Sequence, residues 1–183
     1  MSDSTLKPEV LRQFMTDTFI ETGTARGEGV QVALDVGFKN IISIEANPDV
    51  YVKACSRFQD APNVTLIMGD SGSVLPDLLR GIKTPATFWI DAHWSTGECD
   101  LGPSINKCPI LHDLRAIAGH EIKGHIILID DIRYFRAGGI PQWGMVKLGD
   151  IMEVILDMNP DYRITFADGF IENDVLVAKV KER

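Results

Sequence analysis

Three short stretches of this chain, IISI at 41–44, VTLIM at 64–68 and HIILI at 125–129, are almost continuously apolar rather than apolar at alternate positions. A strand with one wet face alternates apolar and polar side chains, so runs of this kind describe strands covered on both faces, the habit of parallel sheets flanked by helices. The segments between them carry the helical period instead. Pro48 to Phe58 aligns Val50, Tyr51, Ala54, Cys55 and Phe58; Pro109 to Ala118 aligns Ile110, Leu114 and Ile117; Leu148 to Met158 aligns Leu148, Ile151, Met152, Ile155 and Leu156. Pro48 suits a first helical turn, where its missing N–H costs nothing.

The remaining signals complete an alternation. Strands are predicted at Thr18 to Gly23, Ile41 to Glu45, Val64 to Met68, Ala86 to Ile90 and His125 to Ile129, with further helices from Gly27 (Val30, Ala33 and Leu34 on one face) and from Ser71 to Leu79. Tyr162 to Phe166 and Val175 to Val180 follow the last helix with no helix between them and read as an antiparallel hairpin. Right-handed crossovers then build an α/β fold, a single Rossmann-like doubly wound sheet of seven strands, mostly parallel with the last strand antiparallel. With no repeat, linker or low-complexity segment, one domain over residues 1–183 is expected. The long loop from Trp94 to Lys107 and the one from Tyr134 to Gly144 are the places to expect substrate recognition.

Charge narrows the partners. A net charge of -8 and a pI near 4.9 set the surface against phosphate backbones and anionic membranes, and the densest basic stretch, Lys179, Lys181 and Arg183, reads as a solvated tail. No nucleic acid and no membrane partner is expected. No apolar run is long enough to span a bilayer and MSDSTLKPEV lacks the order of a signal peptide, so a cytoplasmic protein is expected. Cys55, Cys99 and Cys108 read as reduced thiols, and the spacing of Cys99, Cys108 and His112 is too loose to specify a metal site.

The chemistry gathers where strands end. In FIETGTARGEGV the first strand runs out through Glu21, Gly23 and Thr24 into a turn containing Gly27 and Gly29, where missing side chains let a ligand approach the backbone. A carboxylate at Glu21 would repel a pyrophosphate and would welcome a cationic ligand. Glu45, followed by Ala46 in SIEAN at the second strand's tip, is placed to accept both hydroxyls of a ribose. At the third tip, Asp70 is placed to meet an adenine amino group, and Ser71 either joins it or caps the next helix.

Taken in order, ETGTxxGxG, SIEAN, GDS and WIDAHW resemble the motifs of class I S-adenosylmethionine-dependent methyltransferases, from about Phe19 to Phe135. The resemblance implies S-adenosylmethionine as cofactor, bound by Glu21, Gly23, Thr24, Gly27, Gly29, Glu45, Ala46, Asp70, Ser71 and Asp91.

The fourth strand ends in Asp91 and the fifth in Asp130 and Asp131, on one edge of a parallel sheet. Three carboxylates on neighbouring tips repel one another unless a proton or cation lies between them, and oxygen-rich sites suit magnesium, manganese or calcium. This arrangement is similar to that of metal-dependent small-molecule O-methyltransferases, which implies Asp91, Asp130 and Asp131 as ligands of magnesium or another divalent cation. The other reading stays open: Asp91 at the cofactor, the Asp130–Asp131 pair as a turn cap. His93, two residues past Asp91, is placed to take a proton from an acceptor hydroxyl. Trp94 and Trp143 are either walls for a flat acceptor or loop packing; His112, His120 and His125 read as structural.

The expected function is methyl transfer to an oxygen, or secondarily a nitrogen, of a small polar acceptor, by a monomer or a homo-oligomer. A nicotinamide-dependent oxidoreductase and a non-catalytic nucleoside-binding domain are the alternatives.

Overall fold

A computed structural model describes residues 5–93 and 108–181. Seven strands, β1 (Thr18–Thr22), β2 (Asn40–Glu45), β3 (Val64–Met68), β4 (Thr87–Ile90), β5 (Ile126–Ile129), β6 (Tyr162–Ala167) and β7 (Val175–Val180), form one sheet in the order β3-β2-β1-β4-β5-β7-β6. The pairs from β3 through β5 are parallel, and β7 runs antiparallel to both β5 and β6.

Among the described residues, α1 (Pro8–Leu11) precedes the sheet, and α2 (Glu28–Val36), α3 (Pro48–Arg57), α4 (Ser71–Leu79), α5 (Ile110–Gly119), α6 (Ile132–Arg136) and α7 (Leu148–Met158) lie between strands. They divide between two faces because neighbouring residues of each strand point to opposite sides. On β1, Phe19 packs with Leu11, Val30 and Ala33 of α1 and α2, while Ile20 packs with Leu75, Leu114 and Ile155 of α4, α5 and α7. The sheet is therefore covered on both sides, as the apolar runs required.

Four details differ from the sequence reading. VTLIM, read as covered on both faces, is the edge strand, and Met68 is 56% exposed because no strand lies beyond it. Leu156, placed on the inner stripe of α7, is 40% exposed; Ile151, Ile155 and Met158 already fill the contact. Gly23 lies outside β1, in a left-handed turn. The Tyr134 to Gly144 stretch, read as a loop, includes the end of α6 and a 3-10 turn at Pro141–Trp143 that buries Trp143. Among the described residues no helix is long and apolar enough to cross a membrane.

Candidate active site at the carboxyl ends of the strands

The direction of the crossovers reverses between β1 and β4, which opens a crevice at their carboxyl ends. Its floor is made by Gly23. At φ +88°, with a notional Cβ 2.9 Å from the Asp91 carbonyl oxygen, this position admits only glycine, and the β1–α2 turn lies directly on the tip of β4.

Glu21 is buried, 2% exposed, at the end of β1. Its carboxylate lies under the first turn of α2, where a Cβ on Gly29 would sit 1.9 Å from Oε1, and it accepts a 2.6 Å hydrogen bond from Ser43 Oγ. Thr24 Oγ1 lies 2.6 Å from Ser43 Oγ and, since Ser43 spends its proton on Glu21, donates to it. Burial, only partly countered by the Ser43 hydroxyl, raises the Glu21 pKa well above the usual carboxylate range. Glu21, Ser43 and Thr24 thus shape the turn from beneath, and Gly27 opens α2 as its left-handed N-cap.

Glu45 ends β2 at this edge of the sheet and is 8% exposed. Its two oxygens accept from Ala25 N at 2.9 Å and from Asn47 N at 2.8 Å. One bond per oxygen leaves lone pairs on each. Ala46 is half-buried beside it, and Asn47 caps α3 by accepting from Asp49 N and Val50 N.

At the next tip the helix cap falls to a different residue. Asp70, not Ser71, is the N-cap of α4, accepting from Ser73 N at 3.0 Å. Ser71 Oγ points inward and donates to Asp113, a fully buried carboxylate on α5 that the sequence did not single out. Asp70 wins the cap because its oxygen lies one atom further out and spans the turn to N3, whereas Ser71 is already inside the helix. Thr22 Oγ1, also buried at this end of β1, has no aligned hydrogen-bond partner among the described residues.

Across the crevice the three predicted metal ligands do not converge as one trio. Ligand atoms come together in two others: Asp91 with His93 and Asp131, and Asp130 with Asp131 and Asp174. His93 Nε2 lies 2.8 Å from Asp131 Oδ2 and 3.1 Å from Asp91 Oδ1, yet neither oxygen is aligned with a ring N–H, and both ring nitrogens are buried without a directed hydrogen bond. Burial alone would lower the His93 pKa; Asp131 and Asp91 overcome it and lift it to about 10. Trp143 packs against the imidazole at a 34° tilt, with ring centroids 4.3 Å apart.

Asp131 adopts φ +59°, a left-handed conformation that turns its carboxylate back toward His93. Arg133 Nη2 pairs with its other oxygen at 2.6 Å, and Arg133 also binds Asp174, 1% exposed at the start of β7. Asp130 accepts from Thr5 and from Asp131 N; burial, with Asp91 and Asp131 close by, pushes it up to about 8. A water-sized space of about 10 Å³ lies between Asp91, His93, Cys108 and Asp130. Asp174, Arg133 and Thr5 were not anticipated, since each arrives from a distant part of the chain. Trp94 and the Trp94 to Lys107 loop, Cys99 and Arg183 lie outside the described residues.

His120 and His125, read from sequence as structural, are buried away from this site. Cys55 and Cys108 are thiols rather than disulfide partners.

No protein-family model matches the chain, and no curated protein matches its sequence. Solved structures do. The O-methyltransferase TomG from Streptomyces achromogenes, crystallised with S-adenosylmethionine, is 16% identical with a TM-score of 0.66, over 96% of this chain and 78% of that one. An O-methyltransferase from Bacillus cereus, in complex with S-adenosylhomocysteine, is 15% identical with a TM-score of 0.68, over 95% and 78%. A Podospora anserina methyltransferase bound to S-adenosylhomocysteine is 15% identical with a TM-score of 0.65, over 96% and 76%. The fold is the Rossmann-like α/β fold of class I methyltransferases.

Proposed function

We propose that this chain transfers the methyl group of S-adenosylmethionine to an oxygen, and secondarily a nitrogen, of a small polar acceptor. The observation that carries the proposal is Glu45. It is 8% exposed at the tip of β2, with lone pairs left on both oxygens, beside a turn that Gly23 keeps open at the point where the sheet reverses. An acid in that place reads a ribose. Asp91 and Asp131 on the acceptor side favour a cationic sulfonium donor over a pyrophosphate.

Bound there, the cofactor supplies an electrophilic methyl group. The chain's own work is to hold the ribose with Glu45 and the adenine with Asp70, to line up the acceptor, and to receive its proton. His93, lifted to about 10 by two carboxylates, already carries a proton at neutral pH. His93 therefore takes a proton from an acceptor only after releasing its own.

The donor set fits a divalent cation. Two carboxylates and an imidazole with undirected nitrogens gather in Asp91, His93 and Asp131, whereas in the second trio Arg133 binds Asp174 as well as the shared Asp131. Once an ion displaces the His93 proton, Asp91, His93 and Asp131 would hold magnesium or manganese, with Asp130 beside them, and the ion would lower the pKa of an acceptor hydroxyl. Specificity for the acceptor falls to the Tyr134 to Gly144 stretch and the Trp94 to Lys107 segment.

Thermal melts with each ligand test the reading. S-adenosylmethionine or S-adenosylhomocysteine is expected to raise the melting temperature by mass action while NAD leaves it unchanged. Stabilisation by NAD alone would point to the oxidoreductase.

A further inference from the structure

At the opposite edge of the sheet, the carboxyl ends of α4 and α5 border a cleft of about 490 Å³ lined by Leu79, Arg80, Lys83, Arg115, His120 and Glu121 among others. Three permanent cations meet there in a chain whose net charge is -8. Cations near helix carboxyl ends offset the helix dipole, and that accounts for part of the pattern. Arg80 pairs with Asp77 at 3.0 Å and Lys83 sits 3.9 Å from Glu121, both as exposed surface pairs of little strength. Arg115 has no acidic partner among the described residues.

His120 is not explained by the dipole. Its proton is placed by a relay that starts in the backbone. Ala86 N–H donates to His125 Nδ1 at 3.0 Å, so neutral His125 carries its own proton on Nε2. That proton is given to His120 Nδ1, 2.8 Å away, which leaves neutral His120 with its proton on Nε2, on the ring edge away from His125. The ring is 8% exposed, it lines the cleft, and no protein acceptor among the described residues meets this N–H. The relay therefore ends in a donor of fixed tautomer beside Arg115, Lys83 and Arg80.

From this geometry we propose a second ligand site, independent of the methyl-transfer reading: the cleft binds a phosphate-bearing small molecule. Its phosphate oxygens accept from His120 Nε2–H and pair with Arg115 and Lys83. These donors suit an anion that accepts at every oxygen, and Glu121, the acid in the lining, sits 3.9 Å from Lys83 as a weak exposed pair that an anion can displace.

The test is calorimetric titration of the full chain, preloaded with S-adenosylhomocysteine to occupy the other crevice, using inorganic pyrophosphate and ADP in parallel at constant ionic strength. Saturable binding to one site is expected. Arg115→Gln and Lys83→Gln, both surface changes, should each weaken it about tenfold or more, the scale of one charge-assisted contact, and leave S-adenosylhomocysteine affinity unchanged. With histidine labelled by 15N, the His120 Nε2 resonance should shift on addition of pyrophosphate. Tighter binding of ADP would assign a nucleotide as the source of the phosphate; equal affinity would assign the free anion. The absence of saturable binding, affinity indifferent to both substitutions, or an unmoved His120 resonance would each overturn the site.

Discussion

Ser71 Oγ donates to both oxygens of Asp113, at 2.9 and 3.1 Å across 42 residues of chain, and so ties the first turn of α4 to the first turn of α5 directly behind the crevice. Burial pushes Asp113 up from 3.8 to about 7, against the pull of the Ser71 hydroxyl. The native state keeps this proton where the unfolded chain has lost it, so stability falls as pH rises from 3.8 to about 7. Asp113→Asn retains an acceptor for Ser71 and removes that dependence. In urea melts on either side of the window, the variant should gain relative to the parent at the higher pH; parallel profiles would show that Asp113 is ionised in the native state. Ser71→Ala is expected to cost about 1 to 3 kcal/mol, the penalty for a buried acceptor left without its donor.

Glu45→Gln tests the nucleoside half. The amide oxygen can still accept one of the two N–H groups of Ala25 and Asn47, so the loop should keep its shape. S-adenosylhomocysteine affinity should drop by about 1.5 to 3 kcal/mol, the worth of hydrogen bonds to a charged group. Unchanged affinity by calorimetry would remove Glu45 from the ribose.

Much of this architecture is legible in the sequence because its signals are local. Apolar runs announce covered strands, helical spacing announces the crossovers, and once the strands are parallel the residues that end them, Glu45, Asp70, Asp91 and Asp130, must share an edge. What the tips face is a different matter. Asp174 comes to Asp130 and Asp131 from the far side of the β6–β7 turn, and Trp143 comes to His93 across 50 residues; no spacing rule connects them. Glu21 misleads for a related reason: period two sets its face, but whether that face opens to the crevice or lies under α2 depends on how closely Gly29 lets the helix approach. IRYFR at α6 is too short to display a period at all.

The His120–His125 pair gives a second pH dependence of opposite sign. Burial, with His120 beside it, lowers His125 from 6.5 to about 4, so native His125 stays neutral where the unfolded chain protonates it. Its contribution is fully present above 6.5 and is lost as pH falls through about 4. Protonating His125 Nδ1 would also displace the Ala86 N–H. NMR titration of the labelled ring should report a pKa well below that of a solvated histidine; a value near 6.5 would contradict the buried relay.

The two acidic trios share Asp131, and substitution can tell which of them a metal prefers. In the second trio Arg133 already binds Asp131 and Asp174, and Asp130, held up at about 8, keeps its proton near neutrality, so little uncompensated charge is left there. The first trio offers buried His93 nitrogens with no aligned partner. Millimolar manganese or magnesium should therefore raise the melting temperature, by an amount equivalent to about 2.7 kcal/mol once the free ion reaches about 100 times its dissociation constant. Asp91→Asn should abolish the gain. Asp174→Asn should lower the baseline stability, because Arg133 loses a partner, yet leave the gain intact. The reverse pattern would place the metal in the second trio. No shift for either ion, with cofactor bound, would mean that the cations of His93 and Arg133 satisfy the acids unaided.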